Sequence, residues 1–428
     1  DEPAKGSSPA TTDAKKDEKA VQQSPAIDTS KPAELSFYLN SMTKLEFEDT
    51  YAPLIREKFP NYKLTGIETS SKMADLVTAG NVPDIIIGTK GTIGNTMLEF
   101  GLDQDLTDLV KSSKFDLTRI EPNYLEAMKY YTNGKIIGIP INGPAFALHY
   151  NKTLFDKFGV AYPKDGMTWD DTYEIAKKLT RNDGGVQYRG YSERWHQIFM
   201  EFNQFSLPYL DAKEDKAAVN TDQWKTLIEG FVRFYKLPGL KFDSKTGYTE
   251  EDLKTFATGT SGMQVFAQPD QYKTFDWDIV SVPTFKEKPN GALWGSARYF
   301  FISKTSKNKD AAMNVSAFIT SDEAQAKLTK KGYAPPLAKI SDELKQNFNQ
   351  DSQFYKGKHV TSFLYNKPAS EPPARAPGLV NFTKAQGILI AEVQKMFTDG
   401  MEVDVNTALR TAEELINKGI AEQKASQK

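Results

Sequence analysis

The chain has 428 residues, of which 39% are hydrophobic and 26% are charged, and its formal net charge is −2. This composition is ordinary for a globular protein, and the length predicts two or three domains or two large lobes. A net charge near zero supplies no basic field, which argues against binding to nucleic acid or to an anionic membrane surface. The longest apolar runs are far shorter than the ~20 residues that span a bilayer, so we predict no membrane-crossing segment.

Cysteine is absent from the sequence, which excludes disulfides, thiol catalysis and thiolate metal sites within it. The three histidines, His149, His196 and His359, lie far apart and show no metal-ligand spacing. We therefore predict neither a metal site nor a cofactor, and we expect structural roles for His149 and His359.

Residues 1–32 form a low-complexity leader with no aromatic residue and only Val21 and Ile27 as large aliphatic residues. Its mixed charges and its Ser, Thr, Pro and Ala residues cannot bury a core, so we expect a flexible segment. The leader is either a frayed terminus or a tether that holds the protein off a surface. It contains no hydrophobic signal region, so we expect any export signal to have been removed already.

After the leader, strand-like and helix-like patterns alternate. Glu34–Asn40 alternates as a strand does, and a helical pattern continues to Phe59. A strand at "KLTGIET", a helix over Lys72–Ala79 that ends at Gly80, and a short apolar strand at "PDIIIG" follow. This β-α-β-α-β order predicts a mostly parallel sheet with helices on its faces.

The segment "GKIIGIPINGPAFALHYNKTLF", from Gly134 to Phe155, contains two apolar strands with no helix between them. The strands are Ile136–Pro140 and Phe146–Tyr150, and residues 142–144 interrupt them. A hairpin needs a tight turn and matched alternation on both sides. Both halves are instead nearly all apolar, as in strands that are covered on both faces.

A second α/β block extends from Phe146 to Trp294. An early helix in it has Thr168 as N-cap and Asp171 three residues later, a capping-box pattern. The helices "ERWHQIFMEFNQF" and "TDQWKTLIEGFVRFYKL" and the strands "GMQVF" and "WDIVSVP" follow. The chain then continues with a strand at "RYFFIS" and two helices, and two closing helices lie within residues 379–420.

At the segment from Gly134, followed by "MTWDDTYEIAKKL", the sequence resembles the extracellular solute-binding proteins of ABC importers. Within that family it is most similar to the maltose-binding-like, carbohydrate-directed group. The pieces "LVTAGNVPDIII", "FATGTSGMQVF", "WDIVSVPTF" and "DVNTALRTAEELINKGI" occur in the family's order over nearly the whole chain. The resemblance implies a protein that is not an enzyme, with two α/β lobes, each a mostly parallel sheet flanked by helices, and a ligand cleft between the lobes.

The resemblance also implies that the chain passes between the lobes three times. Residues 142–144 would be the first crossing, residues 293–298 the return, and a third crossing would lie near residues 340–355. Gly and Pro at the first crossing also have an ordinary alternative role as turn residues. We expect a tether of residues 1–32, an N-terminal lobe of residues 33–143 plus 298–345, and a C-terminal lobe of residues 144–297 plus 346–428.

Localisation and partners follow from the same resemblance. In Gram-positive members of the family, a lipidated cysteine ahead of such a leader anchors the protein outside the cell. That cysteine is not in this sequence, so the implied location is an extracellular lipoprotein, or the periplasm in a Gram-negative bacterium. The implied partners of this expected monomer are an oligosaccharide or another small neutral solute and the membrane permease of an ABC importer, with no nucleic acid.

A sugar site needs polar side chains for paired hydrogen bonds and aromatic rings that cover the apolar face of the sugar. In open α/β sheets such groups lie on loops beyond the carboxyl ends of strands. Asn40 and Ser41 follow the first strand, and Thr89 and Lys90 follow "PDIIIG". Ser41 has an alternative role as an N-cap, and Asp84 is expected to be structural. The glycines of "GTKGTIG" match no nucleotide-binding pattern.

The strongest local pattern is Glu193-x-Trp195-His196 in "SERWHQIF". It resembles the acidic-x-aromatic-aromatic ligand segment that the family places at the start of a helix. The alternative for Trp195 is a core stripe with Phe199, four residues later. Glu193 and His196 are unusual companions for a core residue, so the two interpretations of Trp195 stay balanced.

The remaining candidates lie around "FAQPDQ" and at the return crossing. Many relatives have a stacking Trp where this chain has Pro269, so the sugar preference of those relatives does not transfer directly. An arginine at the return crossing could donate bidentate hydrogen bonds to a ligand, or it could form a salt bridge between the lobes. The candidates are Phe266, Gln268, Asp270, Trp294 and Arg298.

Three other classes of function stay open at this point. A glycoside hydrolase needs two carboxylates ~5 to 9 Å apart, and no local motif nominates such a pair. A Gly-x-Ser-x-Gly elbow is absent as well. A polyamine, peptide or anion binder would need an aromatic box with carboxylates, or backbone amides with arginine. The mixed polar and aromatic candidates favour a neutral polyol over these other ligands. An adhesive or signalling surface protein that kept the fold is the third class, and lobe closure on a small ligand would argue against it.

Overall fold

The structure is a computed structural model. The leader predicted for residues 1–32 lies almost wholly outside the part that it describes. The described residues are 30–193, 200–242, 250–265, 269–272, 274–289, 291–293, 295–370, 372–373 and 375–426.

Within this part of the chain, ten strands form three sheets. The first sheet has five strands, the second has three, and a short hairpin forms the last. The strands are β1 (Ala33–Leu39), β2 (Tyr62–Glu68), β3 (Ile85–Gly88), β4 (Gly138–Asn142), β5 (Ala147–Asn151), β6 (Arg181–Asp183), β7 (Val186–Tyr188), β8 (Met263–Gln264), β9 (Trp277–Ser281) and β10 (Arg298–Ile302).

Helices cover the sheets and connect their strands. The α-helices are α1 (Lys44–Glu46), α2 (Ala52–Lys58), α3 (Met73–Thr78), α4 (Lys90–Thr92), α5 (Thr107–Ser112), α6 (Pro122–Tyr131), α7 (Lys152–Phe158), α8 (Trp169–Leu179), α9 (Asp222–Tyr235), α10 (Glu250–Ala257), α11 (Lys309–Ile319), α12 (Asp322–Lys330), α13 (Asp342–Asn347), α14 (Ala385–Gln394) and α15 (Val405–Ser426). Wider π-helical turns at Phe47–Tyr51 and Ile93–Leu98 continue α1 and α4. Short 3₁₀ turns lie at Leu117–Arg119, Pro269–Gln271 and Val360–Leu364.

The first sheet has the strand order β2-β1-β3-β10-β4. β1 runs parallel to β2 and to β3, whereas β10 runs antiparallel to β3 and β4. β10 is therefore the one reversed strand of this sheet, and it belongs to a part of the chain that returns after a long excursion. The predicted mostly parallel arrangement holds for this sheet.

The second sheet has the order β8-β5-β9, and its direction corrects one prediction. β5 runs antiparallel to both neighbours, so the expectation of a mostly parallel sheet in each lobe is wrong here. The reason is that β5 is buried along its whole length. A strand covered on both faces is apolar in either direction, so its sequence does not report whether its neighbours run with it or against it.

β4 and β5 belong to different sheets, although only four residues separate them. The chain therefore leaves the first sheet and enters the second between residues 142 and 147. A tight hairpin would have paired the two strands with each other.

The five-stranded and the three-stranded sheet each carry a hydrophobic core, and we call the two halves of the molecule the first and the second lobe. The core of the first lobe includes Phe37, Ile86 and Phe300, all fully buried. The core of the second lobe is rich in aromatic rings, and Trp169 packs edge-on against Phe231 with 5.0 Å between ring centroids. The two-lobed α/β fold that the sequence predicts is confirmed.

Two local predictions are also confirmed. Thr168 and Asp171 form a reciprocal capping box at the start of α8. Gly80 follows α3 with a φ of +70°, a backbone conformation in which glycine carries no steric penalty.

Candidate functional site

The carboxyl ends of β1 and β3 meet at one edge of the first sheet, because the two strands are parallel neighbours. The backbone N–H of Ser41, just after β1, donates to the carbonyl of Ile87 in β3 at 3.1 Å. Thr92 Oγ1 donates to the Asn40 side-chain oxygen at 2.7 Å. The turn after β1 is thus held against the helix that follows β3.

Thr89 and Lys90 lie at the start of that helix, and both are half-buried. Thr89 is the N-cap of α4 and forms a reciprocal capping box with Thr92. The backbone N–H of Lys90 donates to Ser296 Oγ at 3.2 Å. Since Ser296 precedes β10, the segment that returns to the first sheet also lies at this edge.

Arg298 opens β10 beside the same turn. Its Nη1 donates to Glu46 Oε1 at 2.7 Å, and its Nη2 donates to the Ser41 carbonyl at 2.7 Å. Both partners lie in the first lobe, so the alternative of an interlobe salt bridge is wrong for Arg298. The N-cap alternative for Ser41 is wrong as well, because Thr43 caps α1 and accepts from the Glu46 N–H at 3.1 Å.

The structure therefore brings five of the sequence candidates together at one edge of the first lobe. We call this group the polar edge; it comprises Asn40, Ser41, Thr89, Lys90 and Arg298.

In the second lobe, Glu193 is completely buried. Its Oε2 accepts the backbone N–H of Val265 at 2.7 Å, just after β8. Its carbonyl accepts the Tyr235 hydroxyl at 3.0 Å. This carboxylate satisfies a buried backbone donor, which favours a structural role, and direct contact with a ligand stays a prediction. Asp270 is exposed in the turn Pro269–Gln271.

The other second-lobe candidates cannot be located in the same way. Trp195, His196, Phe266, Gln268 and Trp294 lie outside the described residues.

The chain segments that join the two lobes pack closely. The Gly143 N–H donates to the Ala334 carbonyl at 2.9 Å. A Cβ on Gly143 would lie 2.2 Å from the Tyr124 hydroxyl oxygen, and one on Gly295 would lie 2.6 Å from the Pro144 Cβ. Both glycines are therefore required by close approach of neighbouring side chains rather than by a positive φ.

The sequence candidates did not include three residues of this region: Glu46, Ser296 and Tyr333. Glu46 had a local signal, since Thr43-x-x-Glu46 is a capping-box pattern that marks a helix start. Ser296 and Tyr333 had none. Ser296 meets Lys90 and Tyr333 meets Glu46 only because segments more than 200 residues apart fold together.

The polar edge offers hydroxyl, amide and backbone groups, together with the charged side chains of Lys90 and Arg298. Asn142 Nδ2 donates to the Tyr51 hydroxyl at 2.6 Å, and burial raises the pKa of Tyr51, so the phenol stays neutral. The Arg298 guanidinium is paired with Glu46. Among the described residues, no group of three His, Asp or Glu side chains could hold a metal ion. Such an edge suits hydrogen bonding to a neutral, hydroxyl-rich solute.

The sequence profile of the family described as "Bacterial extracellular solute-binding protein" matches residues 45–326, more than half of the chain. A binding protein from Brucella abortus is 27% identical over 62% of this chain and 65% of that protein, so the chain spans somewhat less than two thirds of its length. An sn-glycerol-3-phosphate-binding periplasmic protein from Agrobacterium fabrum is 23% identical, over 82% of this chain and 84% of that protein.

Among solved structures, the chain is similar to an ABC substrate-binding protein from Listeria monocytogenes in complex with cycloalternan. The TM-score is 0.61 at 21% identity, over 91% of this chain and 100% of that chain. At this identity the similarity shows the fold alone. Together with the matched profile, it means that the protein is a two-lobed binding protein. The chain belongs to the bacterial extracellular solute-binding protein family, and the resemblance seen in its sequence is confirmed.

Within the described residues, no helix is both long and apolar enough to span a membrane.

Proposed function

We propose that the protein binds a sugar or an oligosaccharide between its two lobes and delivers it to the permease of an ABC importer. The observation that carries the proposal is the polar edge, which gathers hydroxyl, amide and backbone groups at the strand ends. It lies beyond the carboxyl ends of β1 and β3, the position at which open α/β sheets bind ligands. Trp195, His196, Gln268, Asp270 and Trp294 are the proposed second-lobe contribution.

The proposed lobes are residues 33–143 plus 298–345 and residues 144–297 plus 346–428. The two hydrophobic cores support this division except at Ala297, which is buried in the first core. The other buried residues of that core lie from Leu35 to Ile141 and from Tyr299 to Leu344. The second core draws its buried residues from Leu148 to Leu293 and from Val380 to Ile420. Hinge motion about the connecting segments would close the cleft on the ligand.

A phosphorylated polyol is the rival ligand, since the Agrobacterium fabrum relative is described as binding sn-glycerol 3-phosphate. A phosphate needs unpaired donors or basic side chains. At the start of α4 the backbone N–H groups of Thr89 and Lys90 already donate to Thr92 and Ser296. Arg298 is paired with Glu46. These pairings at the backbone amides and at Arg298 favour a neutral ligand, and the side chain of Lys90 is the basic group of the polar edge that a phosphate would contact.

The remaining parts of the proposal concern the setting of the protein. We place it outside the cytoplasmic membrane, as a lipoprotein held by the leader or as a periplasmic protein, and we assign it no catalytic reaction. The family supports an extracytoplasmic binding role, and the leader composition supports a tether.

A thermal-shift screen tests the proposal. The panel contains maltotetraose, cycloalternan, mannitol and sn-glycerol 3-phosphate, and each ligand is recovered afterwards and analysed for cleavage. A true ligand at 100 times its Kd stabilises the native state by about 2.7 kcal/mol, which raises the Tm detectably. A shift with an intact neutral sugar is the expected result. A shift with sn-glycerol 3-phosphate alone supports the rival ligand, and a cleaved sugar would show an enzyme.

A further inference from the structure

We infer that Arg298 is a positioning residue, which fixes the turn at Asn40 and Ser41 and ties it to the segments that join the lobes. Its side chain is only 20% exposed, and two of its guanidinium nitrogens donate to protein acceptors at 2.7 Å. One acceptor is the Ser41 carbonyl, which belongs to the turn itself. The position of this turn therefore depends on Arg298 whether or not a ligand is bound.

The second acceptor of Arg298, Glu46 Oε1, also accepts the hydroxyl of Tyr333 at 2.9 Å. Tyr333 directly precedes Ala334, whose carbonyl accepts the N–H of Gly143 at 2.9 Å. Glu46 Oε1 thus links Arg298, at the start of β10, to Tyr333, whose neighbour Ala334 is hydrogen-bonded to Gly143 in the first crossing.

Tyr333 reaches the end of β4 by a further route. Its ring lies edge-on to that of Tyr51, with 5.6 Å between centroids. The Tyr51 hydroxyl in turn accepts Asn142 Nδ2 at 2.6 Å. We call the five side chains the crossing network; they are Glu46, Tyr51, Asn142, Arg298 and Tyr333.

The charged groups of Arg298 and Glu46 are largely shielded from water. Loss of either partner should therefore destabilise the native state. The Glu46 side chain is 25% exposed, close to the value for Arg298. Removing one member of a shielded ion pair leaves the other charge poorly compensated, and the neighbouring chain shifts to solvate it. Loss of Arg298 should therefore release the turn, and loss of the Tyr333 hydroxyl should loosen the same carboxylate.

The first experiment needs no ligand and measures amide hydrogen exchange in the free protein. Arg298→Met and Tyr333→Phe should both lose protection in peptides that cover residues 40–46, and Arg298→Lys should recover part of it. Arg233→Met is the matched control. Arg233 also pairs with a carboxylate, that of Asp170, at 2.7 Å and donates to a backbone carbonyl, that of Gly230, but it lies in the second lobe. Unchanged protection of residues 40–46 in both test variants would overturn the inference.

The second experiment rests on the proposed function and measures affinity by calorimetry for the sugar with the largest thermal shift. Arg298→Met and Tyr333→Phe should each weaken binding, by about 2-fold to 30-fold, the range of such indirect coupling. Because both side chains donate to Glu46 Oε1, their losses should overlap, so the double variant should lose less affinity than the product of the two single losses. Arg233→Met should bind as the wild type does.

A direct contact between Arg298 and the ligand gives a different pattern. Arg298→Met would then lose affinity while Tyr333→Phe kept it, and the turn would stay protected in both variants. That result would overturn the inference. If the wild type binds no sugar at all, the proposed function fails, and hydrogen exchange still decides the role of Arg298.

Discussion

At the scale of single residues, His149 shows how burial alone sets the chemistry of a side chain. It lies in β5 with 2% of its surface exposed, and its Nε2 is 3.1 Å from the Tyr355 hydroxyl. The ring of Trp277 packs 5.4 Å away. Burial disfavours the charged imidazolium and lowers the pKa of His149 to about 3. The structural role expected for this histidine follows from its burial within β5, against the rings of Trp277 and Tyr355.

His149 should make the protein sensitive to acid. A histidine in the unfolded chain has a pKa of about 6.5, whereas His149 in the native protein has a pKa of about 3. Between these two pH values, the unfolded state binds a proton at His149 and the native state does not. This part of the stability is complete above pH ~6.5 and is lost as pH falls, at up to ~1.4 kcal/mol per pH unit. We expect His149→Gln to flatten the dependence of the unfolding free energy on pH, measured by urea denaturation between pH 7.5 and 4.5.

The control for this experiment is His359→Gln, because His359 is exposed. That variant should keep the slope of the wild type. A His149→Gln protein whose stability fell with acid as steeply as the wild type would contradict the assigned role.

A substitution at Trp195 distinguishes the two interpretations of this residue, a ring that stacks on a sugar and a residue of the core. If the indole covers a sugar face, Trp195→Ala should abolish most binding, because the variant loses an apolar contact that no water replaces. The apo Tm should then change little. If Trp195 is a core residue, the same change should cost ~3 to 5 kcal/mol of stability. Calorimetry and thermal unfolding of one variant decide the matter, and an unstable variant with near-native affinity would refute stacking.

At the scale of elements, the sequence predicts a strand well where apolar and polar residues alternate, because the alternation follows the buried and exposed faces of the strand. "ELSFYLN" alternates, and β1 occupies Ala33–Leu39, within one residue of the predicted strand. The break predicted at residues 142–144 overlaps the gap at residues 143–146 between β4 and β5, which lie in different sheets. The prediction of parallel strands was wrong for the second sheet, since the sequence of a fully buried strand is apolar whether its neighbours run parallel or antiparallel to it. At the site, strand ends identified the polar edge, but only long-range packing reveals that Arg298 is paired with Glu46.

The first crossing should be intolerant of any side chain at Gly143. A Cβ there would lie 2.2 Å from the Tyr124 hydroxyl oxygen and 2.9 Å from the ring carbon that bears it. We expect Gly143→Ala to destabilise the protein by about 1 to 3 kcal/mol in urea denaturation, the usual cost of overpacking. Adding Tyr124→Phe removes the nearest atom and should restore part of that loss.

Gly94→Ala is the matched control, because a Cβ on Gly94 would meet no atom within 4 Å. Gly94 lies in a helical turn, so alanine should be neutral or stabilising there. If Gly143→Ala were as stable as the wild type, the close packing at the first crossing would be disproved.

At the scale of the whole molecule, the two lobes have separate hydrophobic cores, and connecting segments join them. Two smaller clusters accompany these cores, and the one beside the connecting segments contains Ala334, Phe348 and Leu364, with Ala145 and Phe363 packed against it. A movement of one lobe relative to the other would change the packing of this small cluster and leave the two large cores intact. Motions of this kind occur about a few residues in connecting segments, while each packed core moves as a unit.

Ligand binding should therefore close the cleft, and the radius of gyration from small-angle X-ray scattering should fall when the sugar from the screen is added. The connecting segments must stay adjacent for this motion, and Gly295 lies against Pro144 with no room for a Cβ. Gly295→Ala should push the two segments apart, so that affinity falls and the ligand-induced compaction shrinks. Gly387→Ala in α14, where a Cβ would meet nothing within 4 Å, should leave both unchanged. A Gly295→Ala protein that binds and compacts as the wild type does would show that lobe movement does not depend on these segments.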